Sequence, residues 1–422
     1  MRITLALLTL PALAAAQGYP PQPFPTPEPQ GTATGWPLLS REAPLRLGGY
    51  VQPGFLATHN TPFDQQDGDG FVLFDARLMG EGQAPIAQDV DLGFRFNFDV
   101  STGTFAVRDI YGTVMLLDRL ALEVGQMKVP FTLAEHTSEA RLQFPVHTPV
   151  RTRSQLLRGA GLSHGRDRGV RLRSDGQLGQ VWVEAEVGLF NGEGQNAVQN
   201  LDDEYLYAGR VEVAPLGKVS TDEPDLENSA PGFAVGFSAS YTPKSAGRAQ
   251  GVGDTGATDL RYGADLRLKF RGFSLRGEFV QSNQNGDGEA QDIKRYGVYV
   301  QSGYAFPVAN MLVEPVVRWS QYDNHDGSDG VVQIATAGGT DARFDLSDNA
   351  ETRMVDVGVN TYLAGHALKL MVMYRLTDFL EGPKTDQGLR ELTRTGKLGG
   401  DAGKGTVLIG DAVFTQLQVG WL

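Results

Sequence analysis

Asp259-Leu-Arg-Tyr-Gly-Ala-Asp-Leu-Arg-Leu-Lys-Phe270 decides the fold. Leu260, Tyr262, Ala264, Leu266, Leu268 and Phe270 alternate with Asp259, Arg261, Gly263, Asp265, Arg267 and Lys269. A period of two marks a strand whose two faces meet different surroundings. Val90, Leu92, Phe94, Phe96 and Phe98 repeat the pattern against Asp89, Asp91, Gly93, Arg95, Asn97 and Asp99. A soluble sandwich also alternates, but it packs its apolar face on a second sheet. So many full charges on the polar face suit a wet lumen, with the apolar face toward lipid.

Working outward, segments of this kind occur at 45–57, 71–81, 88–100, 104–116, 120–130, 166–174, 180–190 and 204–214, then at 232–242, 258–270, 272–283, 291–304, 310–322, 351–363, 366–376 and 408–421. They predict an all-β chain folded as one transmembrane antiparallel β-barrel of sixteen strands, an even number as bacterial barrels require. Most reach the ~9–11 residues that a tilted spanning strand needs. With the N-terminus in the periplasm, the long gaps 58–70, 131–165, 191–203, 243–257, 323–350 and 377–407 all fall outside. Barrels sort their loops in this way. The tight connection 101–103 outside and the longer link 215–231 inside depart from that sorting. The last segment puts Val413, Thr415, Leu417, Val419 and Trp421 on one face and ends on an interfacial aromatic. Tyr50, Tyr207, Tyr304, Trp319 and Tyr374 near other segment ends fit aromatic girdles.

Residues 1–16, MRITLALLTLPALAAA, read as a signal peptide: Arg2, an apolar core from Ile3 to Leu13, and a cleavage site of small residues. That core is shorter than the ~20 residues of a spanning helix. Residues 17–44 read as a Pro-rich, extended periplasmic tether, and 45–422 as the barrel domain. The absence of cysteine excludes a disulfide framework and a lipid anchor. Without the signal the chain carries a net −14, which disfavours nucleic acid as a partner.

One window breaks the acidic background. Lys128, Arg141, Arg151, Arg153, Arg158, Arg166, Arg168, Arg171 and Arg173 share Lys128–Arg173 with only Glu135, Glu139 and Asp167. Arginine presents a planar fork to oxyanions and stays charged, and rings of arginine or lysine select anions in pores. These nine residues are therefore the candidate anion-binding set. The bland alternative is that they pair with inward acids such as Asp75, Asp89, Asp91, Asp109, Glu123 and Asp265 and pin a loop. By strand parity Arg171 and Arg173 face the lumen, whereas Lys128 shares parity with Leu122 and Val124 and needs a bulge to do so. Elsewhere the inward bases Arg46, Arg77, Arg95, Arg261, Arg267, Arg276, Arg295, Arg318, Lys369 and Arg375 are offset by acids.

Other chemistry is thin. The acidic tips 64–69, 285–289 and 323–327 lack the spacing of a calcium loop. Ser163-His164 are sequence neighbours, which seldom have the geometry of a nucleophile and its base. Neither G-x-S-x-G nor HExxH occurs, so no enzyme, metal or cofactor is expected.

Gly125-Gln126-Met127-Lys128-Val129-Pro130-Phe131 resembles the G-Q-x-K-x-P-F signature of the phosphate-selective porins O and P. Arg153-Ser154, Gly165-Arg166-Asp167-Arg168-Gly169-Val170, Phe74-Asp75-Ala76-Arg77, Gly188-Leu189-Phe190-Asn191-Gly192, Asn360-Thr361-Tyr362-Leu363 and Gln416-Leu417-Gln418-Val419 resemble further family segments. The resemblance implies a sixteen-stranded outer-membrane porin, usually a homotrimer, whose long third external loop folds into the channel. Its partners would be small phosphate-like anions in the lumen, with lipid and lipopolysaccharide outside. The chain departs from the family in ending Trp421-Leu422 and in its acidic balance. A general or cation-preferring porin, and a plugged structural or adhesive barrel, are the alternatives.

Overall fold

Short turns convert the alternating segments into hairpins. Between Phe270 and Phe273 the two turn residues, Arg271 and Gly272, have φ of 48° and 86°. Two successive positive φ values are the type I′ arrangement, whose twist matches that of the flanking strands. In the computed structural model, the described residues are 45–59, 69–151 (except 88, 102, 104, 117, 118 and 149), 162–200, 204–243, 258–285, 293–323, 331–335, 341–345, 352–379 and 411–421. The signal and tether segments lie outside them.

The strands are β1 (Leu45–His59), β2 (Asp69–Ala87), β3 (Val90–Asp99), β4 (Ala106–Leu116), β5 (Leu120–Lys128), β6 (Arg166–Leu178), β7 (Val181–Phe190), β8 (Leu206–Ala214), β9 (Gly232–Thr242) and β10 (Thr258–Phe270). They continue as β11 (Phe273–Asn285), β12 (Ile293–Tyr304), β13 (Phe306–Val308), β14 (Met311–Asp323), β15 (Val331–Ala335), β16 (Asp341–Asp345), β17 (Thr352–Tyr362), β18 (Leu368–Phe379) and β19 (Asp411–Trp421). Each pairs antiparallel with its neighbour, and β1 pairs with β19 to close the ring. β12 and β13 are one wall strand interrupted at Ala305, since both pair with β14. β15 and β16 form a separate two-stranded sheet. Sixteen strands make the barrel.

Burial follows the alternation. Leu260, Tyr262, Leu266 and Phe270 of β10 are exposed, while Asp259, Arg261, Asp265, Arg267 and Lys269 are buried. Apolar groups face outward and charges inward, the reverse of a soluble core. Leu417, Val419 and Trp421 continue that outer face on β19. The sixteen expected segments all appear, with ends shifted by a few residues; β2 extends furthest beyond its expected span. The gap 323–350 carries the additional hairpin β15–β16, which was not among the expected segments. Among the described residues no helix is long and apolar enough to cross a membrane.

Two long connections occupy opposite rims. Residues 129–165 join β5 to β6 at one rim, and residues 215–231 join β8 to β9 at the other.

Candidate functional site

The 129–165 connection starts from a glycine that no other residue replaces easily. Gly125 has φ of +140°, and a Cβ there would lie 2.3 Å from the Ile110 carbonyl oxygen. At the end of β5, Lys128 Nζ donates to the Thr137 carbonyl at 3.2 Å. Lys128 thus turns to the connection from the last residue of its strand, with no register shift in the pairings of β5. A short helix α1 (Leu133–His136) follows, with Thr132 Oγ1 accepting from the Glu135 amide at 3.1 Å. Its first amides also find a wall partner. Glu278 on β11 accepts from Leu133 N at 2.7 Å and Ala134 N at 3.0 Å.

The apolar residues Met127, Val129, Phe131, Ala134, Val150 and Leu162 pack against Phe190, Leu206, Val280 and Tyr299. Further along, the segment bonds to strands distant in sequence. Gln143 Nε2 donates to Ser274 Oγ at 2.9 Å, and Asn360 Nδ2 donates to the Gln143 carbonyl at 2.9 Å. Lys369 Nζ donates to the Leu142 carbonyl at 2.7 Å and Gln418 Nε2 to the Ala140 carbonyl at 3.1 Å. The donors Asn360, Lys369 and Gln418 belong to the inward faces of β17, β18 and β19, and the acceptor Ser274 to that of β11.

Of the nine candidate anion-binding residues, Arg153 and Arg158 lie outside the described residues. The other seven each meet an acceptor. Arg166 Nε donates to Asp109 Oδ1 at 2.7 Å, and its Nη1 lies 3.4 Å from Glu135. Arg151 pairs with Glu135 at 3.3 Å and with Glu139. Arg171 bonds Glu123 at 2.6 Å and Glu186 at 3.3 Å. Arg173 lies 3.9 Å from Glu123, Arg141 3.3 Å from Asp222, and Arg168 Nη1 donates to the Val198 carbonyl at 2.9 Å. Burial would push the Glu135 carboxyl up, but Arg151 and Arg166 hold it down at about 2, so it stays ionised. Burial pushes His136 down to about 4 against the pull of Glu186, so the imidazole is neutral at pH 7.

A second basic group was hidden in the sequence. Register places Arg267 opposite Arg276, Arg276 opposite Gln301, Gln301 opposite Arg318, Arg318 opposite Asp356 and Asp356 opposite Arg375. One row across β10, β11, β12, β14, β17 and β18 therefore holds four arginines and one aspartate. Arg318 Nε and Arg375 Nε both donate to Asp356, at 2.8 and 2.7 Å. Arg267 bonds Glu212, while its Nε and Nη1 have no protein partner; Arg276 Nη2 has none either. Among the described residues, fourteen basic and fifteen acidic side chains are buried, so the acidic excess of the chain lies mainly outside this interior.

A small opening of about 30 Å³ remains beside α1. Leu133 and His136 line it from the connection, Glu184, Glu186, Arg210 and Glu212 from β7 and β8, and Thr221 from the opposite-rim link.

The family model of the phosphate-selective porins O and P matches residues 47–378. The chain belongs to that family. As a member it is a porin of the outer membrane, a channel protein and not an enzyme. It resembles an uncharacterized protein of Aquifex aeolicus, 21% identical over 307 residues that cover 68% of this chain and 66% of that relative, just under two thirds. Its fold resembles the anion-selective porin of Comamonas acidovorans (13% identity, 89% and 98% of the two chains, TM-score 0.56). It also resembles the trimer form of OmpT from Vibrio cholerae (11%, 89% and 99%, 0.54) and Salmonella typhi OmpF in complex with daunomycin (13%, 89% and 97%, 0.53). At these identities the likeness concerns the fold alone.

Proposed function

We propose that this porin is a water-filled channel for passive uptake of small anions of phosphate type, assembled as a homotrimer. The 129–165 connection lies across the lumen and narrows it. Its hydrogen bonds to the inward faces of β11, β17, β18 and β19 support that placement. The trimer form of OmpT supports the oligomer, and the exposed apolar band is suited to outer-membrane lipid and lipopolysaccharide.

One observation carries the anion preference: the cross-strand row Arg267, Arg276, Arg318 and Arg375, whose four cations meet three acids, Asp356 within the row and Glu212 and Glu223 beside it. Guanidinium groups remain charged at any working pH. Charges behind low-dielectric walls are screened less than those on external tips, which lose their reach within about 8–10 Å in physiological salt. The row thus biases the lumen positively despite the acidic chain. Lys128, Arg141, Arg151, Arg153, Arg158, Arg166, Arg168, Arg171 and Arg173 add to the same field, each weakened by any carboxylate it meets.

A weakly selective or cation-preferring general porin is the second reading, favoured by Glu184, Glu186 and Glu212 around the opening. The sign of the zero-current potential in a KCl gradient separates the two. Purified porin in a planar bilayer should show anion preference. Cation preference would remove the anion reading and leave the general porin.

A further inference from the structure

The link 215–231 belongs to the rim opposite the 129–165 connection, yet the two meet. Gln143 N donates to Glu223 Oε2 at 2.7 Å, and Glu223 N donates to the Arg141 carbonyl at 3.1 Å. Arg141 also pairs with Asp222, and Thr137 Oγ1 donates to the Thr221 carbonyl at 3.4 Å. From the wall, Lys269 Nζ donates to the Pro224 carbonyl at 2.8 Å, and Asp225 accepts from Gly272 N at 2.7 Å. Arg276 Nη1 lies 3.4 Å from the Thr221 carbonyl and 3.6 Å from Glu223. A mere turn between strands has no need of such anchoring. Val219, Glu223 and Asp225 are buried, so this link reaches inward and is held there.

We propose that the link is a second, opposite-rim wall of the passage and that Thr221 is a specificity-determining residue in it. The inference rests on the reading that the 129–165 connection narrows the channel. Thr221 lines the opening together with Leu133 and His136 of that connection. The bonds that hold the link at this position use the Thr221 carbonyl, which leaves its side chain open to substitution. Solutes of either charge must then pass between elements supplied by both rims. Asp222 and Glu223 lie next to Thr221, so the link brings carboxylates close to the passage and moderates the arginine field.

The chain has no cysteine, so single cysteines report cleanly. Thr221→Cys and, as a control on the other element, His136→Cys are reconstituted and exposed to a sulfonate-bearing methanethiosulfonate. Heat-modifiable migration confirms folding and mass confirms labelling. Labelling at Thr221→Cys should lower single-channel conductance about twofold and move the zero-current potential toward cations, because a fixed charge in a narrow passage repels co-ions. Thr221→Asp should move the potential the same way without any reagent. Unchanged conductance at a labelled Thr221→Cys, or a folded variant that takes no label, while His136→Cys responds, would overturn the role of the link alone. Silence at both positions would overturn the narrowing by the 129–165 connection as well.

Discussion

The barrel holds two arginine groups of opposite kinds. The first, Lys128–Arg173, is contiguous in sequence and conspicuous, and every described member meets a carboxylate or a carbonyl. The second is spread from Arg267 to Arg375 and comes together only through strand register. In the first, cations and acids are matched almost one to one. In the second, Arg318 and Arg375 share Asp356, while Arg267 meets Glu212 and Arg276 meets Glu223, which leaves four cations to three acids. Density of charge along a chain therefore says little about net charge in space. Paired arginines build and hold an element, whereas cations in surplus over their acids set a field.

The largest effect is expected where two cations depend on one acid. Asp356→Asn leaves Arg318 and Arg375 buried without a counter-charge, which should cost about 3–5 kcal/mol of barrel stability. It should lower the urea midpoint of unfolding and raise anion preference in the same variant. An unchanged midpoint would mean that the pair does not rely on Asp356.

In the contiguous group, Glu135→Gln removes the charge that receives Arg151, Arg166 and Ser163. About 1–3 kcal/mol of local stabilisation should be lost there. The 129–165 connection should loosen while the wall stays intact, visible as greater open-channel current noise with an unchanged urea midpoint. A channel as quiet as the unmodified one would show that other contacts suffice to hold the connection.

His136→Gln should do least. Burial holds the imidazole down at about 4, so at pH 7 it is neutral and replacing it removes no charge. Below pH 4 the unmodified porin gains a positive group at the opening and the variant does not. The zero-current potentials of the two should coincide at pH 7 and separate only at that acidic end. Separation near pH 6 would mean that the imidazole is better hydrated than its packing implies.

The strand count was legible because alternation is local: each residue reports its own face. Connection lengths were legible for the same reason. The 215–231 link stood out as too long for a periplasmic turn, but its purpose depends on Glu223 meeting Gln143, eighty residues away. The pairing of the basic window was open at the sequence level, because Asp109, Glu123 and Glu186 belong to other strands. The arginine row was illegible altogether. Its members were visible as inward bases, yet only register decides which of them stand side by side, and register accumulates through every turn of the second half. Gly125 was seen as part of a motif; its positive φ supplies the reason.

The most direct test compares the two groups by one quantity, the zero-current potential in a KCl gradient. One variant carries Arg276→Gln and Arg318→Gln, the other Arg151→Gln and Arg166→Gln. In the second, Glu135 loses Arg151 and Arg166, the two cations that do most to keep it ionised, and a proton taken up there offsets one of the two lost charges. In the first, Arg375 still neutralises Asp356, so the charge lost with Arg318 is not replaced. Most of the anion preference should therefore disappear with the wall pair and little with the window pair. The opposite ranking would contradict a field set by the wall and return selectivity to the contiguous stretch.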